Sequence, residues 1–296
     1  MQRSHNTQKL KKIEFTYVDD AGDTIVKNVK TTKPKKQYKK GNWYPAKDFE
    51  YSFVKNTGYL RIYSFEPKND IRFRKSIDRF FKTVKENSCS SVVIDLRENK
   101  GGYILLLEHL LSHINSEGKT YDLRYDYKRS DLDRFETLSR LKKIDFIKKA
   151  KRVYPQGMIS KEYDFYKSPK GTVKSILYQK ELKNRNNSLY DGTCTLIVNG
   201  LSMSASVLMA SWFKETHRGK IIGTPCYGSQ SGTNGNPASI FLKNSGLPVS
   251  ISTLILRPEN VKKELTGDLK MDQNIKVSIQ DIRKGYDPFS PYFIQE

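Results

Sequence analysis

The chain has 296 residues, 36% of them hydrophobic, with 18 Tyr and 14 Phe. That is enough apolar material for a packed core, and it excludes wholesale disorder. The formal net charge of +21 raises the question of nucleic acid. The lysines are scattered, however, and read as a solvated surface, and the densest run, KPKKQYKK over 33–40, reads as a linker. No apolar run of about 18 residues occurs, so no membrane span is expected. The opening MQRSHNTQKLKK shows no signal peptide. Cys89, Cys194 and Cys226 are odd in number and widely spaced, which predicts buried free thiols and neither a zinc pattern nor a disulfide framework.

In chain order, residues 12–32 alternate apolar and polar side chains on both sides of Asp-Asp-Ala-Gly-Asp, a hairpin signal. GYLRIYSF over 58–65 reads as a strand. Over 70–87, Ile71, Phe73, Ile77, Phe80, Phe81 and Val84 recur at helical spacing, with Asp70 as the expected N-cap. SVVIDL over 91–96 reads as a strand buried on both faces, and ILLLEHLLSHI over 104–114 as a buried helix. Residues 115–190 are polar, charged and Tyr-rich with mixed helical signals, and read as an insertion or lid region. TCTLIVN, SMSASVLMASWFKET and KIIGTP then give a strand, a helix that opens on small residues, and a strand. The loop 227–239 is rich in Gly, Ser and Asn, and 239–256 reads as a hairpin. Strands alternating with helices predict an α/β fold.

Three features bear on chemistry. One strand ends in Asn99-Lys100-Gly101-Gly102 before a helix, where consecutive glycines allow outward-pointing amides. A second ends at Asn199-Gly200 and leads to Ser202-Met203-Ser204-Ala205-Ser206 at a helix start. A Gly-rich loop follows. Acyl transfer needs a hydroxyl nucleophile at an element end and two backbone donors for the tetrahedral oxyanion. Ser204 is the candidate nucleophile, and the amides of Gly102 and Ala205 are the candidate donors. Taken singly, a Ser-rich helix start is an ordinary N-cap and Gly-Gly after a strand an ordinary turn.

Together, GYLRIYSF, VVIDLRENKGG, LIVNGLSMSAS and IIGTPCYG resemble, in order, the tail-specific (C-terminal processing) serine peptidases. The resemblance covers roughly 51–115 and 190–290 and extends in weaker form to KMDQNIKVSIQDIRKGYDP. It implies a Clp-protease/crotonase-like spiral core of strand-strand-helix units over 46–296. Residues 1–45 would then hold a remnant β-hairpin of a PDZ-like module and a basic linker. It also implies the nucleophile role for Ser204, the oxyanion role for Gly102 and Ala205, polypeptide tails as substrate, and a periplasmic or cell-envelope location.

The sequence departs from the Ser/Lys branch, because Ser229 stands where that branch carries its lysine and Val207 where it usually carries a glutamate. A neutral hydroxyl cannot serve as general base at neutral pH. The chain looks closer to the tricorn-like Ser/His branch, in truncated or degenerate form. That branch's supporting acid corresponds in distance to Glu264, with Glu259 and Asp268 as neighbours that read equally as surface carboxylates. None of the histidines supplies the expected base: His5 lies in a polar tail, His217 far along the helix after Ser204, and His109 and His113 four apart in an apolar helix with no third ligand in the sequence nearby. The expectation is therefore a serine-type endopeptidase core whose activity is doubtful for want of a base, without cofactor or metal. The alternative is a non-catalytic, peptide-binding pseudo-peptidase.

Overall fold

The computed structural model describes residues 12–18, 22–30, 47–130, 165, 168–184, 188–229, 231–259 and 267–293. The chain divides into two compact units, Met1–Tyr44 and Pro45–Glu296. In the first, β1 (Lys12–Val18) and β2 (Thr24–Lys30) pair antiparallel, with Lys12 opposite Lys30 and Val18 opposite Thr24. This is the hairpin expected from the alternation. Two strands alone do not identify a PDZ-like module.

The second unit is α/β, as expected. Its six-stranded sheet runs in the order β12 (Gln273–Asn274), β9 (Lys220–Gly223), β8 (Thr193–Val198), β5 (Ser91–Asp95), β4 (Thr57–Ile62), β3 (Phe49–Val54). All neighbours are parallel except β3 and β4. The period-two geometry of a strand divides its side chains between two faces. Leu60, Ile62, Val92, Ile94, Leu196, Val198 and Ile221 enter the large core, while Tyr59, Val93, Ile197 and Ile222 pack on the opposite face with Phe289. This is why SVVIDL reads as an unbroken apolar run.

Three helices cover the first face. α1 (Asp70–Glu86) buries Phe73, Ile77, Phe80, Phe81 and Val84. Its N-cap is Asn69, not Asp70: the Asn69 side chain accepts from the Arg72 amide at 2.9 Å, and Asp70 sits in the first turn, where its charge suits the helix dipole. α2 (Ile104–Ile114) occupies the predicted span, and α3 (Ala205–Thr216) follows β8. α4 (Ile279–Lys284), closed by a Ser278–Asp281 capping box, lies in the C-terminal segment.

A second, antiparallel sheet has the order β10 (Thr233–Phe241), β11 (Pro248–Pro258), β6 (Thr120–Lys128), β7 (Val173–Glu181). The mixed helical signals of 115–190 therefore give way to two strands among the described residues; 131–164 lie outside them. β6 alternates buried Tyr121, Leu123, Tyr125 and Tyr127 into the main core. The Gly/Ser/Asn-rich stretch becomes strand from Thr233, because pairing with β11 satisfies a backbone whose composition alone suggested a loop.

The C-terminal segment straps the opposite face through one buried cation. Arg97, at the end of β5, meets Asp95 at 2.7 Å and Asp287 at 2.8 Å and stacks over Phe289 at 4.5 Å. Tyr59 donates to the fully buried Asp95 at 2.8 Å, so this carboxylate is not left unpaired in the interior.

Candidate active site

The site is built from two strand-to-helix turns tied together by asparagines. Asn99 is fully buried. Its side chain accepts from the Gly101 amide at 2.8 Å and donates to the Ile62 carbonyl at 2.9 Å. Its carbonyl accepts from the Met203 amide at 2.9 Å and the Ser206 hydroxyl at 3.1 Å. Asn199 mirrors it in the second turn, accepting from the amides of Glu98 at 3.0 Å and Leu201 at 3.1 Å. Each turn therefore holds the other by hydrogen bonds, those at Asn99 buried.

The three serines of SMSAS have different fates. Ser202 is fully buried, accepting from the Asn199 amide at 2.9 Å and donating to the Leu96 carbonyl at 2.8 Å. Ser206 is buried and spends its proton on Asn99. Ser204 is only half-buried. It occupies the N-cap position of α3 with φ 53° and ψ −116°, and its side chain makes no capping hydrogen bond. A non-glycine residue at that conformation carries strain. The ordinary reason for a serine at a helix start is capping, and it does not apply here.

The first turn presses directly on Ser204. Gly101 has φ +90°, and a Cβ built there would lie 2.5 Å from Ser204 Cβ and 2.8 Å from the Ala205 nitrogen. Gly102 pairs with Phe65 as an isolated parallel bridge, through Phe65 N–H to the Gly101 carbonyl and Tyr103 N–H to the Phe65 carbonyl. The Gly102 amide itself takes no part in that pairing. Ala205 is the first residue of α3, where the helix leaves its amides without intrahelical partners.

The third loop also reaches this region. Met203 and Tyr227 form a parallel bridge, with Tyr227 N–H donating to the Ser202 carbonyl at 2.9 Å. Ser229 hydrogen-bonds Ser231 at 2.7 Å, hydroxyl to hydroxyl. Val207 is fully buried in the core.

Of the other sequence candidates, Glu264 and His5 lie outside the described residues. Glu259 is held in an ion pair with Arg124. Asp268 is exposed and bridges Ser229 through the backbone. His217 is the left-handed C-cap of α3, at the opposite end of the helix from Ser204. The cysteines are buried free thiols, as expected; burial pushes Cys194 and Cys226 up to about 12, so both stay protonated and inert.

His109 and His113 are not isolated core histidines. Asp78 of α1 lies 2.8 Å from His109 Nε2 and 2.9 Å from His113 Nε2. Burial pulls both imidazoles below their ordinary value, His109 to about 4. Ser188 Oγ lies 2.9 Å from His113 Nδ1, which completes a serine–imidazole–carboxylate chain. With His113 1% and Ser188 4% exposed, no acyl group could reach that hydroxyl. The sequence offered half a signal, the spacing of the two histidines on α2. Asp78 comes from another helix, and only the packing of α1 on α2 delivers it.

The site is thus an α/β fold with a strained, uncapped serine at a strand-to-helix turn, pressed by a second such turn. Residues 56–271 match Peptidase family S41, and the chain belongs to that family. Among solved structures, mature CPAF complexed with lactacystin is 14% identical, with a TM-score of 0.54 over 95% of this chain and 66% of that one. Mature CPAF alone is 15% identical, with a TM-score of 0.54 over 95% and 65%. The photosystem II D1 C-terminal processing protease is 13% identical, with a TM-score of 0.48 over 90% and 55%. At these identities the likeness to CPAF is one of fold, and the chain spans between about half and two thirds of the length of these structures. No curated protein matches the chain.

Proposed function

We propose that this chain is the core of a serine peptidase acting on polypeptide tails through an acyl-enzyme at Ser204. The observation that carries the reading is the conformation of Ser204, strained at φ 53° with a hydroxyl that caps nothing. In the reaction, Oγ adds to the scissile carbonyl and loses its proton to a base. The carbonyl oxygen becomes an oxyanion that accepts from the Gly102 and Ala205 amides. The C–N bond then breaks as the amine takes up the proton, and water hydrolyses the ester. One such donor is worth roughly 3 kcal/mol in the transition state. Glu264 is the supporting acid in this reading. Residues 12–30 are the end of a PDZ-like module, and the protein works in the periplasm or on the cell envelope.

The base is the weak link. Position 229 carries a hydroxyl engaged with Ser231, and no described side chain hydrogen-bonds the Ser204 hydroxyl. This favours a second reading, a pseudo-peptidase that binds peptide tails without cleaving them. Residual catalysis without a base is on the order of a thousandth or less of a complete enzyme's. A fluorophosphonate probe separates the readings. Slow labelling that disappears in Ser204→Ala supports the peptidase core. Measurable affinity for peptide tails with no labelling at Ser204 supports the binding module. Neither labelling nor peptide affinity would remove both.

A further inference from the structure

The clustered Asp78, His109 and His113 lie apart from Ser204, on the packed faces of α1 and α2. Their ligand atoms all fall within 4.8 Å of one another. One carboxylate oxygen faces two imidazole nitrogens, at 2.8 and 2.9 Å. At a metal–ligand length of about 2.1 Å, such separations subtend roughly a right angle at a common centre. Two histidines and one carboxylate make a three-ligand set that leaves further coordination positions open on the ion.

The surroundings supply what the open side and the outer shell require. A cavity of about 590 Å³ is lined by both histidines together with Arg74, Glu108, Lys180 and Lys183. Glu108 is 5% exposed, and its Oε1 has no hydrogen-bond partner among the described residues. His113 Nδ1 has Ser188 Oγ at 2.9 Å and the Asn184 amide at 3.1 Å. The Ser188 hydroxyl can accept from Nδ1–H and so leave the Nε2 lone pair facing Asp78, as the outer partner of a metal-bound histidine does, whereas the Asn184 amide, a donor, suits the metal-free ring. His113 is locked further by stacking on Phe81 at 4.7 Å. Arg74, Lys180 and Lys183 oppose a cation, while Asp78, Glu108 and Glu181 offset them.

We propose that Asp78, His109 and His113 bind one divalent transition-metal ion of the zinc class, with its open positions facing this cavity. The ion ties α1 to α2, and so stabilises the helix that follows the Gly101–Gly102 turn. The site is independent of the reading of Ser204.

The test uses the untagged full chain, stripped with chelator and titrated with Co²⁺. The expected result is one equivalent bound, visible d–d bands, and no thiolate charge-transfer band. Zn²⁺ should raise the thermal midpoint, and chelator should reverse the rise. Asp78→Asn and His109→Gln should abolish the bands, while His217→Gln should keep them. Asp78 and His109 are both partly exposed, at 31% and 17%, so the two variants are chosen to stay folded, which circular dichroism checks without metal. Absence of stoichiometric Co²⁺ binding to the folded wild-type chain would overturn the proposal. So would a thiolate band, or binding retained by the folded Asp78→Asn and His109→Gln variants.

Discussion

Gly101 and Ser204 touch so closely that a single methyl group at position 101 would fall 2.5 Å from the Ser204 Cβ. The same methyl would lie 2.9 Å from the Met203 carbonyl oxygen, on a backbone already at φ +90°. Neither neighbour is the free end of a flexible side chain, so the turn itself must move. Gly101→Ala is therefore expected to lower unfolding free energy by on the order of 2–4 kcal/mol, from backbone strain plus overpacking. Urea denaturation reads the stability loss. Fluorophosphonate labelling of any folded fraction should fall below that of wild type, because Ser204 would be displaced.

Two serines separated by one residue should behave oppositely. Ser202→Ala removes an acceptor from the Asn199 amide and a donor to the Leu96 carbonyl inside a fully buried turn. Orphaning buried groups of this kind costs about 1–3 kcal/mol. Ser204→Ala removes no hydrogen bond seen in the structure and should change stability by no more than about 0.5 kcal/mol. Equal destabilisation by the two substitutions, in parallel thermal and urea melts, would show that the Ser204 hydroxyl has a structural partner and would undercut its role as a free nucleophile.

Much of this architecture is legible in the sequence because its signals are local. Helix α2 occupies 104–114 as read, since an eleven-residue apolar run between Gly-Gly and Asn has few alternatives. The turn residues around Ser204 are legible for the same reason: glycines and small residues at strand ends report backbone demands directly. What the sequence does not carry is contact between distant segments. Arg97 and Asp287 are 190 positions apart, and no local pattern links them. Asp78 joins His109 and His113 only because two amphipathic helices pack. β6 carries a strict alternation of Tyr121, Leu123, Tyr125 and Tyr127 with Asp122, Arg124 and Asp126, a strand signal masked by the polar composition of the whole 115–190 stretch, while β7 buries only Ile176 and so shows little period of two. The missing base is legible as a substitution at Ser229, but what else could supply it is a three-dimensional question.

The C-terminal strap depends on Arg97 and should fail in a defined pH range. Burial raises Asp287, but hydrogen bonds from Arg97 and the Phe289 amide bring it net below its ordinary value of 3.8. A carboxylate held lower in the folded state stabilises above its unfolded value, and that contribution is lost as pH falls through the folded one. Asp287→Asn should therefore reduce the midpoint at pH 7 and converge with wild type at more acid pH. Arg97→Ala should cost about 3–5 kcal/mol, because it strands Asp95 in the interior. Arg97→Lys should rescue only part, since an ammonium cannot bridge both carboxylates with a planar fork. A pH series of thermal melts on the three variants checks the order.

Glu215 carries the opposite sign. It sits in the last turn of α3, where the helix dipole disfavours a negative charge, and burial together with Asp122 pushes it from 4.5 up to about 7. Its Oε1 is buried without a hydrogen-bond partner among the described residues. Between those two values the folded chain holds more protons than the unfolded one, so stability falls as pH rises, and the full penalty is present only above about 7. Glu215→Gln removes the charge while keeping the shape. The substitution should leave stability near wild type at pH 5 and raise it at pH 8 by on the order of 1–2 kcal/mol, the partial exposure of the side chain screening the rest. Urea melts at the two pH values read the difference directly. A gain of the same size at both would mean that Glu215 titrates alike in the folded and unfolded chains and that the benefit comes from hydrogen bonding by the amide instead.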